Sequence, residues 1–372
     1  SSSIFSKAPP TSLTGERASP LLRISTNPVL VPDGGSGSAP TVVTPPVVSL
    51  VLTGRNDGYG GDFIARFFRS LRFNHQQLTA RGIAYELVFV EWAPPSDARL
   101  IRDQIFDALP ELDVAVCSWY VVDPRYQEVL SLNPRLEYLE FPAKNVGVRR
   151  ARGRFVLTSN CDVYFGRRIF DALAAGTLEP RVLYRAPRHD LTLPAERAPL
   201  DWSVLEDPRN LAGPAHVLKP PYMGSATGDF VLLDRESFHE IGGFNEVYRV
   251  ARIGIDRNVL VKALSSGLRI ADIGGPVYHE NHEGSYRLNP AAYAGRETEA
   301  PWGDRRWHSG GVSYVNPPTW GLSEAPVREI DDRVWYLDFS WAAMPPLVDL
   351  MRIVLPVARL GGPAPGHYVR KR

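Results

Sequence analysis

The stretch TSNCDVYF, Thr158 to Phe165, follows an apolar run and sets one acid, Asp162, between polar and aromatic neighbours. A carboxylate just beyond a central strand can bind hard Mg²⁺ or Mn²⁺, a Lewis acid able to neutralise a leaving diphosphate. The other reading of such an Asp is a turn residue. Downstream, YHENHEG holds His279 and His282. Two imidazoles three apart share one face, or one binds metal while the other supports it; isolated histidines more often do neither. Asp256 opens a segment with helical spacing, where it is either a general base toward a hydroxyl or an N-terminal cap. PAKNVGVRRARGRF (Pro142–Phe155) gathers cationic groups around Gly147, which permits close approach of backbone to a ligand. Near a helix start those cations suit phosphate; otherwise they form a solvated basic face. Glu91 and Asp57 can accept hydrogen bonds from a ribose or base, or are ordinary loop carboxylates.

Holding these groups requires strands and helices in a definite order. VVSLVLT (Val47–Thr53) is a β-branched run that reads as a buried strand, and Phe63, Phe67, Leu71 and Leu78 recur at helical spacing after it. YELVFVEW (Tyr85–Trp92) reads as a second strand, and Ser96 starts a helix through SDARLIRDQIFDAL. VAVCSWYVV and LEYLEF (Leu136–Phe141) read as strands, and a helix over about 144–153 leads into RFVLTS (Arg154–Ser159). Strands alternating with helices imply parallel pairing, with ligands at the carboxyl ends of the strands. Thr53–Asp57, Glu91, Lys144–Arg150 and Asn160–Asp162 are then expected on one rim. RVLYRAPRHDL (Arg181–Leu191) reads as a strand ending in charge, and Gly228–Tyr248 as strand, helix and Gly-Gly stop. Gly254–Ile273 reads as a helix capped near Gly267 and then a strand, and beyond about 284 no strong periodicity remains.

The 372 residues suffice for one large domain or two, with 44% hydrophobic and 22% charged residues as in globular proteins. A net charge of +1 gives no broad basic surface, so nucleic acid is not an expected partner. No run of about 18 apolar residues occurs, so no membrane-spanning segment is expected. Cys117 and Cys161 make no disulfide framework and lack zinc-site spacing, and their pairing is left open. Residues 1–46 are biased to Pro, Ser, Thr and Gly, most clearly in PDGGSGSAPTVVTPP (Pro32–Pro46). They suit a stem below a membrane anchor upstream of Ser1, or a plain disordered tail.

Taken in order, these pieces resemble the GT-A glycosyltransferases, in particular the family-2-like group of inverting enzymes, over roughly Val47 to Tyr286. TGRND matches the polar loop after the first strand, Glu91 the acid ending the second, and KNVGVRRARG the Asn-x-Gly helix before the central strand. NCD (Asn160–Asp162) stands at the Asp-x-Asp element as an Asn-x-Asp variant. GDFVLLDRESFHEIGGFNEVY matches a segment ending Gly-Gly-Phe-Asp-Glu, with Asn245 for the Asp. Ile255 and Asp256 stand where the family has Glu and its catalytic Asp, and HENH where a late histidine completes the metal shell.

The resemblance implies an α/β GT-A fold with a mostly parallel central sheet. Its catalytic domain would span 47–286, with a nucleotide-binding half at 47–165, an acceptor half at 166–286, and a Trp/Pro-rich extension at 287–372 packed on it. It further implies sugar transfer from a nucleotide donor, a UDP-sugar, to a hydroxyl of a glycan or small-molecule acceptor. Asp256 would be the base, and Asp162, His282 and His279 would hold Mn²⁺ or Mg²⁺. Donor-binding positions would be Thr53, Arg55, Asp57, Glu91, Lys144, Asn145, Gly147, Arg149, Arg150, Cys161, Gly228 and Asp229. Arg185, Arg188, His189 and Asp190 either line the donor site, grip an acidic group on the acceptor, or form a surface salt-bridge cluster. The stem-like start favours a Golgi or secretory-pathway lumen, with the cytoplasm as alternative. A non-catalytic GT-A-like module that binds glycan or nucleotide is the competing expectation, since Asn160 and Ile255 depart from the family.

Overall fold

The structure, a computed structural model, describes residues 45–131, 134, 136–193, 201–216, 218–220, 223–246, 249, 255–282 and 316–344. Nearly all of the expected linker, and most of 287–372, lie outside the described residues.

The first half alternates strand and helix. It runs β1 (Val48–Gly54), α1 (Phe63–Ala80), β2 (Tyr85–Trp92), α2 (Ile101–Ala108), β3 (Cys117–Val122), α3 (Pro124–Leu130), α4 (Glu140–Arg150) and β4 (Phe155–Thr158). Next come β5 (Val163–Phe165), α5 (Arg167–Ala175), β6 (Val182–Arg185), β7 (Arg188–Asp190) and α6 (Trp202–Leu205). β8 (Val231–Asp234), α7 (Arg235–Glu240), α8 (Ile255–Ser265), β9 (Arg269–Asp272) and β10 (Val277–His279) follow, and β11 (Val327–Asp331) and β12 (Val334–Leu337) close the series.

A nine-stranded sheet has the order β11-β12-β3-β2-β1-β4-β8-β6-β9. β12, β3, β2, β1 and β4 run parallel, β8 is antiparallel to β4 and β6, and β9 is parallel to β6. This is the expected α/β class with a mostly parallel central sheet. Both faces are covered, which is why β1 reads as a continuous apolar run rather than an alternating one. Val48, Leu50 and Leu52 pack with Phe67 and Leu71 of α1 and Ile101 and Ile105 of α2. Val51 belongs to the cluster on the other face, with Val148 of α4, Phe238 of α7 and Val259 and Leu260 of α8. Each such side chain contributes about 1.5–3 kcal/mol through burial. Gly147 lets α4 lie directly on β1, since a Cβ there would run into Val51.

Three expectations change. LEYLEF is not a strand: Glu140 already begins α4, while Leu136, Leu139 and Phe141 are buried beside it. No slot was open next to β3, because β2 occupies one side and β12 the other. RVLYRAPRHDL forms two strands, β6 and β7, in different sheets, with the break at Ala186-Pro187. The C-terminal region, aperiodic in sequence, supplies β11 and β12, an antiparallel pair that extends the large sheet.

A second sheet, β5-β10-β7, pairs β10 antiparallel to β5 and parallel to β7. His279 lies opposite Val163 on one side and Asp190 on the other.

Candidate functional site

Asp162 is the last residue before β5, and its carbonyl accepts a 2.9 Å hydrogen bond from Glu280 N. That bond brings the end of β10 against the turn after β4. His279 Nε2 lies 3.6 Å from Asp162 Oδ1, and His282 Nε2 3.1 Å from Asp162 Oδ2. One ligand atom from each of the three residues fits within a mutual spread of 4.8 Å. Alternation along the strand sends Glu280 the opposite way, to Arg69 Nε at 3.0 Å and the Tyr164 hydroxyl at 2.7 Å. Behind His279 stands Asp190, its Oδ1 3.4 Å from Nδ1, where a carboxylate fixes the ring orientation. Asp190 is itself held by Arg188 at 2.9 Å and His216 Nε2 at 3.0 Å. Burial acts to raise the Asp162 carboxyl, but His279, His282 and Arg66 together hold it well below its ordinary value. Burial likewise opposes protonation of His279, yet Asp162 and Asp190 prevail and raise its pKa. Two imidazoles and one carboxylate fit a first-row divalent ion better than Mg²⁺, which prefers oxygen donors.

Beside Asp162, Asn160 serves a different network. Its Oδ1 accepts from Lys144 Nζ at 2.8 Å, and its Nδ2 donates to Asp229 Oδ1 at 2.7 Å. Lys144 is fully buried, and its other partners are Glu140 Oε1 and the Gly228 carbonyl, both at 2.8 Å. Asp229 Oδ2 accepts from Arg188 at 2.7 Å, which closes the circuit toward Asp190 and His279. Gly228 N donates in turn to Asp256 Oδ2 at 3.3 Å, at the start of α8. Asp256 and Asn160 are therefore linked through Lys144 and the backbone N–H and C=O of Gly228. Burial pushes the Asp256 carboxyl above its ordinary value, against the pull of Arg257 and Arg185.

The expected nucleoside-binding residues sit at the ends of β1 and β2. Thr53 Oγ1 accepts from the Tyr138 hydroxyl, and the Thr53 carbonyl from Cys161 Sγ at 3.3 Å. Arg55 donates to the carbonyls of Ala93 at 3.1 Å and Glu137 at 2.9 Å, and Asp57 Oδ1 caps Tyr59 N at 3.1 Å. Glu91 is 1% exposed and accepts from Ile101 N at 2.9 Å, while its other oxygen is buried without a hydrogen bond. Burial pushes its carboxyl up to about 8.

Other expected site residues point elsewhere. Asn145 brackets the Gly-Gly turn, accepting from Phe244 N at 2.7 Å and donating to Phe244 O at 2.8 Å and Glu246 at 2.9 Å. Gly243, at φ 65°, has no room for a Cβ against Asn145. Arg149 donates to Pro318 O at 3.2 Å and lies over Trp320, while Arg150 donates to the carbonyls of Gly321 and Leu322 at 2.8 and 3.0 Å. These two occupy the far end of α4, about 8 Å along the axis from Lys144 at 1.5 Å per residue. Arg185 is fully buried and ties the carbonyls of Met223, Ser225 and Thr227. His189 stacks on Tyr278, at 5.8 Å between ring centres. Cys117 and Cys161 are both free thiols. Sequence reasoning missed Arg66, which reaches Asp162 from α1 and is indistinguishable in sequence from a solvated helix arginine.

No protein-family model and no curated protein matches the sequence at a significant level. Among solved structures, S. aureus TarS 1–349 in complex with UDP-GlcNAc aligns over 65% of this chain and 60% of its own, with 15% identity and a TM-score of 0.42. GalNAc-T7 with UDP, GalNAc and Mn²⁺ aligns over 64% and 44%, with 12% identity and a TM-score of 0.42. The catalytic domain of Drosophila beta1,4galactosyltransferase 7 in complex with xylobiose aligns over 79% and 94%, with 13% identity and a TM-score of 0.38. The chain thus spans less than two thirds of the first two. At these scores the likeness says nothing about chemistry, which has to come from the residues themselves.

Proposed function

We propose that the chain is a GT-A glycosyltransferase of the family-2-like inverting group, with an Asn-x-Asp variant of the Asp-x-Asp element. It would move a sugar from a nucleotide donor, a UDP-sugar, to a hydroxyl of a glycan or other acceptor. The observation that carries this reading is the Asp162–His279–His282 cluster just past the carboxyl end of β4, with Asp256 linked to the same turn through Gly228, Lys144 and Asn160. A divalent cation, Mn²⁺ or Mg²⁺, held by those three residues would supply positive charge against a departing diphosphate. Asp256 would take the acceptor hydroxyl proton as the new glycosidic bond forms and the bond to the phosphate oxygen breaks, with inversion at the anomeric carbon. Its raised pKa makes it a stronger base than an exposed Asp. Glu91, Thr53, Arg55 and Asp57 would meet the nucleoside at the β1 and β2 ends. Residues 47–286 would form the catalytic domain, 1–46 a stem, and 287–372 an extension against it.

Asp256→Asn tests this directly. Transfer and donor hydrolysis should fall about 10²–10⁴-fold with nucleotide affinity retained, as for loss of a general base. Equal nucleotide release from both proteins would remove Asp256 from that role. If no nucleotide sugar raises the melting temperature, with or without Mn²⁺, the binding-module reading gains over the enzyme.

A further inference from the structure

Arg66 has no part in the proposed reaction, yet its buried guanidinium stands directly beside Asp162. Its side chain is 1% exposed. Nη1 donates to Gly60 O at 3.0 Å and to Asp62, and Nη2 to Tyr59 O at 2.9 Å. Nε has no hydrogen-bond partner and lies 3.6 Å from Asp162 Oδ2, the same oxygen that faces His282. A guanidinium stays charged at any physiological pH. The one carboxylate in the cluster therefore already faces a permanent positive charge in a buried setting, where screening is weak. Neighbouring acids bring little relief, since each is engaged by an arginine: Asp62 by Arg66 and Arg69, Glu280 by Arg69, and Asp190 and Asp229 by Arg188. Arg66 also anchors the loop after β1, through Tyr59 and Gly60, and the Tyr59 ring sits edge-on to His282 at 5.6 Å.

We propose that Arg66 makes divalent-cation binding at Asp162, His279 and His282 depend on a diphosphate arriving with the cation. A dication alone meets a carboxylate whose charge is already offset. A nucleoside diphosphate brings negative charge that attracts both the cation and the guanidinium. Arg66 is thus a positioning and coupling residue, and the inference rests on the donor reading proposed above.

The test is calorimetric titration of the whole chain with Mn²⁺, alone and with saturating UDP, correcting free Mn²⁺ for its complex with UDP. Wild type should bind Mn²⁺ at least about tenfold more tightly with UDP than without, and UDP should gain by the same factor. Arg66→Met should bind Mn²⁺ alone about tenfold more tightly than wild type and show a correspondingly smaller UDP effect, while Arg66→Lys keeps the wild-type pattern. If Arg66→Met does not fold, Arg66→Gln makes the same comparison with donors retained toward Gly60 and Tyr59. Mn²⁺ binding indifferent to UDP, or no tighter in the uncharged variant, overturns the coupling and leaves the metal site standing. No Mn²⁺ binding by wild type under either condition overturns the metal reading and the coupling with it.

Discussion

Replacing Asn160 with Asp would place a second carboxylate two residues before Asp162, and the structure predicts that the change is harmful. The amide is used at both ends: Oδ1 accepts from Lys144 at 2.8 Å and Nδ2 donates to Asp229 at 2.7 Å. A carboxylate in its place gains attraction to Lys144 and repulsion from Asp229. At those distances each amounts to about 6 kcal/mol at an effective dielectric near 20, so the two nearly cancel. What remains is a lost charge-assisted hydrogen bond in a part-buried setting, about 1.5–3 kcal/mol. Such a loss lowers the melting temperature by roughly 2–5 °C on a domain of about 300 residues. Protonating the new acid restores a donor toward Asp229, which raises its folded-state pKa above its unfolded value. An acid shifted in that direction loses stability as pH rises between the two values, so the deficit should be large at pH 8 and small near pH 4. Urea denaturation of wild type and Asn160→Asp at both pH values measures it. A variant as stable as wild type at pH 8, or one that binds Mn²⁺ about tenfold more tightly through a second carboxylate, would refute the argument.

Two further outcomes follow from the site. Glu91, raised to about 8 by burial, binds a proton in the folded state that it releases on unfolding above about pH 4.5, so it lowers stability as pH rises between those values. Glu91→Gln should flatten that decline by a few kcal/mol at most, read from melts between pH 5 and 8.5; an unchanged slope would mean the carboxyl is ionised in place. The two imidazoles should make Mn²⁺ bind about tenfold or more tightly than Mg²⁺ in the presence of UDP, and His282→Ala should erase most of that preference; equal affinities would place the cation on oxygen ligands elsewhere.

The α/β class was legible because β1, β2 and β4 are short apolar runs separated by amphipathic helices, a pattern carried by local residues alone. LEYLEF shows where that logic fails: an apolar run looks the same whether it joins a sheet or packs ahead of a helix, and pairing of β12 with β3 decided the matter from over two hundred residues away. The grouping of Asp162 with His279 and His282 came from motif order, since residues so far apart have no local signature. Arg149 and Arg150 are basic neighbours of Lys144 in sequence, but helix length carries them to the end facing residues 318–322. Arg66 was invisible for the converse reason, as its meaning depends on a carboxylate from another element.

The small β5-β10-β7 sheet also bears on how the site assembles. Its strands contribute three residues each, and β10 brings His279 to Asp162 only in the register that pairs His279 with Val163 and Asp190. Sliding β10 by a single residue would turn Tyr278 or Glu280 toward Asp162 and send the imidazole to the opposite face. Closing so long a loop makes such pairing a slow step. The Asp162–His279–His282 cluster would then assemble late in folding, and misregistered molecules would have native-like helices without that cluster.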